Sequence, residues 1–190
     1  EESIIASAKR HPFSIKYQLG LNRDGLIQAS KIHMLADGGA YNCSTEGVMR
    51  KAAILAAGPY AIENLMVDAI GIYTNNTPSG AMRSFGAMQS QFATECHLDL
   101  CAEKLEMDPV ELRRKNFFKE GDETHTRQEL GSVSMLEVFN SALDLADWET
   151  GISNSRGATR SDLAQSGNRP PCTLGARQIP LETIPTGQAS

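Results

Sequence analysis

Phe13, Ile15 and Tyr17 alternate with Ser14, Lys16 and Gln18, the period-two pattern of a strand with one buried face. "LNRDGL" follows, and Asp24-Gly25 marks a turn because glycine accepts a positive φ at little cost. Apolar positions resume from Leu26 to Leu35, so residues 11–36 are expected to form a β-hairpin. The paired glycines of "ADGGAYN" mark a turn or a close backbone approach. In "EGVMRKAAILAAG" (46–58), Val48, Ala52, Leu55 and Ala56 share one helical face, and Gly58-Pro59 ends the helix. "LMVDAIGIYT" (65–74) is rich in β-branched residues and reads as a strand, broken by "NNTPSG".

The period changes after Gly86. Phe92, Cys96 and Leu100 recur four apart, which predicts a helix over about 86–107 with those three on its core face. "DPVELRRKN" predicts the next helix, with Asp108 as cap, Pro109 in the first position and Glu111 completing an Asp-x-x-Glu capping pattern. Met135, Val138, Phe139 and Leu143 predict a last short helix over 134–147. The expected fold class is α+β, mixed strands packed by helices.

Composition narrows the partners more than the fold. Of 190 residues, 41% are hydrophobic and 22% charged, as in ordinary soluble domains. A net charge of -5 gives no reason to expect nucleic acid or an anionic membrane as partner. No apolar run approaches the roughly 18–20 residues that span a bilayer. The start, "EESIIASAKRHPF", has neither an initiator Met nor a signal-peptide layout, and the chain is expected to be a fragment. Cysteines 43, 96, 101 and 172 form no CxxC and have no His at zinc-finger spacing. Cys96 and Cys101 would diverge by about 140° on a helix, so core thiols are expected ahead of a metal or disulfide pair, with a reducing, cytoplasmic setting.

After Trp148 the character shifts. Residues 1–150 carry 14 basic and 21 acidic groups, whereas residues 151–190 carry four and two, with no Lys, Phe, Trp or Tyr. Such a segment buries too little apolar surface to offset its ordering entropy. Residues 149–190 are therefore expected to be a disordered or artefactual tail to a domain at 1–148.

The densest chemistry lies in "SGAMRSFGAMQSQFATE" (79–95). Its N–H groups lead into a helix N-terminus, which favours an anion or polar acceptor. Arg83 adds a bidentate fork for oxygen acceptors, and Phe85 is suited to stacking on a flat ring. The pattern alone equally describes a structural turn with an exposed arginine. Lys51 and its neighbour Arg50 sit on the 46–58 helix, either reaching into a polar pocket or snorkelling at the surface. Glu95 and Asp99, four apart, either pair structurally with an arginine or serve as a proton relay. The four histidines form no HxxxH or HxH pair, so no protein-ligated metal is expected.

Five phrases occur in an order that resembles the molybdenum-binding subunit of xanthine dehydrogenase-type molybdenum hydroxylases, a family that includes aldehyde oxidases. They are "KRHPFSIKYQLGLNRDGLI", "DGGAY", "GPYAIENL", "YTNNTPSGAMRSFGAMQSQFATE" and "DPVELRRKNFFKEGD". The resemblance implies a partial site for a molybdopterin–molybdenum cofactor. It also implies a parent enzyme that moves oxygen from water onto an N-heterocycle, purine- or nicotinate-like, or an aldehyde. Iron–sulfur and FAD groups are expected in partner subunits only. By position, Arg83 matches the arginine whose loop touches the cofactor, with Gly80, Ala81 and Gly86 beside it. Phe85 matches the aromatic packed on the substrate. Lys51 stands, as a catalytic position, where xanthine-oxidising members carry an arginine, keeping the charge without the planar fork. The family's glutamate base and glycine-rich loop have no counterpart here, so the chain alone is expected neither to hold the cofactor firmly nor to turn over. The alternatives are a non-catalytic assembly or interaction fragment and an unrelated anion- or nucleotide-binding module.

Overall fold

The computed structural model describes Glu2 and residues 7–148; the expected tail at 149–190 lies outside the described residues. Strands β1 (Phe13–Leu21) and β2 (Ile27–Gly39) form the expected antiparallel hairpin. Its turn closes where the Asn22 side chain accepts the Leu26 N–H at 2.8 Å, and Gly25 takes φ +83°. Helix α1 (Thr45–Ile54) then crosses to β3 (Asn64–Tyr73), which pairs with β2 in parallel. The sheet order is β1-β2-β3. Helices α2 (Ala87–Leu105), α3 (Pro109–Asn116) and α4 (Met135–Leu145) complete an α+β fold.

The register Tyr17↔Ile32↔Val67 puts all three side chains on the same side of the sheet. Ile32, Met34 and Ala36 meet Met49 and Ala52 of α1, Ala56 just beyond it, and Leu98, Cys101 and Ala102 of α2 in one core. β2 runs on through Asp37 to Gly39, so "DGG" is a close approach within a strand. A methyl on Gly38 would sit 3.0 Å from Thr45 Oγ1, and one on Gly39, at φ +74°, 2.4 Å from Thr77 O.

Helix α2 corrects the expected core face. Its buried residues are Ser90, Thr94, Leu98, Cys101 and Ala102, while Phe92 and Leu100 are 50% and 42% exposed. Small residues win because α2 lies close against the end of α1: the Thr94 hydroxyl lies 2.9 Å from Ala56 O, just past α1, and 3.0 Å from Ser90 O of its own helix, sharing its one proton between them. α1 ends at Ile54, short of the expected residue 58; Val48 and Ala52 are buried on it as expected, while beyond its end Ala56 is buried and Leu55 is exposed.

Helix α3 starts as its sequence directs, with the Asp108 carboxylate accepting the N–H groups of Val110 and Glu111. Glu111 does not need to close a capping box; it lies 3.7 Å from Lys115 on its own helix. The last residue, Asn116, reaches back to the hairpin turn. Its amide donates to Gly25 O at 2.8 Å, and its carbonyl accepts the Ile27 N–H at 2.8 Å. α4 touches the core through Met135 and Phe139, whose ring meets Phe117 edge-on at 4.9 Å.

Candidate functional site

The loop before α2 is built from an unusual run of backbone conformations. Ser84, Phe85 and Gly86 have φ of +80°, +48° and +99°, and a non-glycine residue in this region costs roughly 1–2 kcal/mol. The turn is closed by Phe85 N–H to Met82 O at 2.8 Å and Ala87 N–H to Ser84 O at 2.9 Å. Strain of this kind persists where surrounding contacts over-determine the backbone.

Those contacts come from three sides. A methyl on Gly86 would lie 2.3 Å from Val48 O, so this glycine lets α2 begin directly against α1. Gly80 is buried, and a methyl there would reach 2.8 Å from the Ala8 Cβ. The Phe85 ring rests on α1, where a methyl on Gly47 would come within 2.9 Å of it. Ser79 N–H donates to Gly38 O at 3.0 Å and Gly80 N–H to Lys9 O at 2.8 Å. Arg10 donates from Nη1 to the carbonyl of Arg83 at 3.0 Å.

Ala81 and Arg83 are exposed, and among the described residues no side chain bonds the Arg83 guanidinium. Lys51 is also exposed and lies one helical turn after Gly47, about 40° round the helix, on the side of α1 that carries Phe85. Arg50 turns elsewhere, lining a cavity of about 600 Å³ between α1 and β3 with Thr45, Met49, Val67 and Tyr73.

His11 is 2% exposed under this loop, its Nε2 2.9 Å from Thr45 Oγ1. Burial lowers its pKa, against the Asp37 charge and the Gly80 backbone. Asp37 itself is held below the usual carboxylate range by hydrogen bonds from Thr74, Asn76 and the Gly39 N–H. No local pattern announces these partners, because Arg10 and Arg83 stand 73 positions apart.

Glu95 and Asp99 take the structural option, both pairing with Arg113 of α3. The buried Tyr60 hydroxyl donates to Glu95 at 2.8 Å. This network sits about 12 Å along α2 from its start, away from the loop. Cys101 is a buried thiol and Cys43 an exposed one. Among the described residues no three His, Cys, Asp or Glu side chains gather as a metal site. No helix there is long and apolar enough to cross a membrane.

The donor set suits an oxygen-rich, anionic organic group. Arg83 offers an exposed fork at the start of α2, and the loop backbone beside it is fixed.

Residues 1–117 match the family described as "Molybdopterin cofactor-binding domain". The nicotinate dehydrogenase large molybdopterin subunit of Eubacterium barkeri is 36% identical over 157 residues, covering 82% of this chain and 37% of that protein. The xanthine dehydrogenase molybdenum-binding subunit of Escherichia coli is 33% identical over 150 residues, 78% of this chain and 20% of that one. Among solved structures, the aldehyde oxidoreductase from Desulfovibrio gigas superimposes with a TM-score of 0.72 at 32% identity, over 80% of this chain and 17% of that chain. The chain thus spans 37% or less of the length of each of these three relatives.

Proposed function

The chain belongs to the molybdopterin cofactor-binding domain family, and from that premise we propose that it forms one wall of the cofactor site in a molybdenum hydroxylase of the xanthine dehydrogenase and aldehyde oxidoreductase type. The observation that carries this reading is the exposed Arg83 guanidinium on a loop whose backbone is fixed by α1, β2 and residues 9–10. When bound, the cofactor supplies oxygen transfer and two-electron redox chemistry. Arg83 and the Ala81 backbone bind its oxygen-rich periphery through charge-assisted and N–H hydrogen bonds. Gly80 and Gly86 act by letting the loop close on Ala8 and on α1.

Phe85, half-buried against Gly47, offers a flat apolar surface to a planar substrate. Lys51 lies on the same side of α1 and places a single mobile positive charge beside it. A point charge suits a carboxylate or carbonyl oxygen, whereas it lacks the paired donors that would fix a purine dione. The substrate is therefore an electron-poor N-heterocycle of nicotinate type, ahead of xanthine or a simple aldehyde. The oxygen comes from water, and electrons leave through iron–sulfur and flavin groups on partner subunits. The base that activates water belongs to other segments of the assembly.

The test is to isolate the assembly carrying this chain through an affinity tag and measure molybdenum, pterin and hydroxylation of nicotinate, xanthine and an aldehyde in ¹⁸O-labelled water. We expect about one molybdenum per chain, labelled hydroxy-nicotinate as the leading product, and loss of cofactor in Arg83→Ala. An assembly free of molybdenum and pterin would refute the reading.

A further inference from the structure

Residues 9–11 contact three different parts of the site. Lys9 pairs through its backbone: it bridges Ser79 in parallel, and its carbonyl accepts the Gly80 N–H at 2.8 Å. Arg10 reaches outward to the Arg83 carbonyl at 3.0 Å. His11 turns inward, with its ring on Thr45 at the start of α1, and its carbonyl accepts from Gln89 Nε2 at 3.3 Å. The segment is thus anchored on α1 and α2 and grips the loop at both ends of its exposed stretch.

That placement matters because of where the strain lies. The left-handed run begins at Ser84, immediately after the carbonyl that Arg10 holds. A carbonyl fixed at Arg83 sets the peptide plane between Arg83 and Ser84, and with it the entry into the left-handed turn. It also leaves the Arg83 side chain as the part of that residue free to meet a ligand.

We propose that Arg10 is a positioning residue for the cofactor loop: by holding the Arg83 carbonyl it keeps the Ser84–Gly86 turn in its strained conformation and so aims the Arg83 guanidinium. The inference rests on the loop being the cofactor wall, but its test does not require cofactor. In the full chain, hydrogen exchange is followed at the amides of Phe85 and Ala87, which close the turn, and at strand amides such as Ile32. For Arg10→Ala we expect the two turn amides to exchange about three- to tenfold faster, as loss of one solvent-exposed hydrogen bond of ordinary net strength implies, with the strand amides unchanged. Arg10→Lys, which keeps a charged donor, restores part of the protection. Unchanged turn amides in Arg10→Ala would overturn the proposal, as would acceleration of turn and strand amides by the same factor. A chain in which Arg10→Ala loosens the turn, but whose assembly holds no molybdenum, keeps the clamp and refutes only the cofactor reading.

Discussion

Arg113 donates through Nε to Glu95 Oε2 at 2.8 Å, while its Nη1 lies 2.8 Å from Asp99 Oδ1, so one guanidinium on α3 bridges two carboxylates of α2. The Arg113 side chain is only 15% exposed, against 38% for Glu95 and 25% for Asp99. Arg113→Ala leaves two carboxylates and the buried Tyr60 hydroxyl without their cation. We expect a loss of about 2–4 kcal/mol, below the figure for a wholly buried pair because Glu95 keeps some water. Urea unfolding measures it, and a double-mutant cycle with Glu95→Gln isolates the pair.

Arg83 is expected to behave in the opposite way. It is exposed and carries no side-chain partner among the described residues, so Arg83→Ala should leave stability within about 0.5 kcal/mol of the parent. The same urea experiment tests this. A loss comparable to that of Arg113→Ala would make Arg83 a structural residue.

Two glycines with positive φ separate strain from crowding. Gly121 has φ +84° and open space around it, whereas Gly86 has φ +99° and its added methyl would strike the Val48 carbonyl. Gly121→Ala should cost about 1–2 kcal/mol from backbone strain alone. Gly86→Ala should cost on the order of 3–5 kcal/mol, because α1 and α2 must also part. Equal costs for the two substitutions would contradict the packing described.

Acid should destabilise the fold in two steps. Burial lowers the pKa of His11 and of His97, the latter with help from Lys104. As pH falls below 6.5 the unfolded chain takes up protons that the folded chain resists, and stability drops. Asp37, lowered by its hydrogen bonds, contributes stability above 3.8 that is lost as pH falls below that value. Urea midpoints from about pH 8 down to about pH 3 would trace both steps, and His97→Phe should shrink the first without abolishing it, since His11 and His125 are lowered by burial as well. A midpoint constant through the histidine range would contradict the burial of these rings.

The thiols should differ sharply in reactivity. Cys43 is exposed, whereas burial pushes the Cys101 thiol up to about 11. With a maleimide at about neutral pH, peptide mapping should find Cys43 labelled quickly and Cys101 labelled only on unfolding. Equal rates would show that the α2 face opens readily.

The hairpin, the Asp108 cap and the existence of each helix were legible because local physics decides them: alternation, a glycine at positive φ, a carboxylate beside free N–H groups. The buried face of α2 was not, because Thr94 and Ser90 gain burial from bonding to neighbouring backbone, which hydrophobic periodicity does not score. The parallel pairing of β3 was likewise invisible, since strand pattern carries no direction. At the site, Arg83 and Phe85 stood out by their glycine frame. Arg10 did not, since its contact is with a carbonyl far along the chain.

Asn116 also sets an order of events during synthesis. The hairpin turn forms early in the chain, but its Gly25 and Ile27 backbone groups are sealed only by a side chain 91 and 89 positions later. At about 5–20 residues per second, a ribosome takes roughly 5–18 s to deliver it. For that interval β1 and β2 wait without their latch, and for most of it α2, which covers their apolar face, is not yet complete. A chaperone that recognises exposed strands therefore has its best opportunity before residue 116 emerges, and little afterwards.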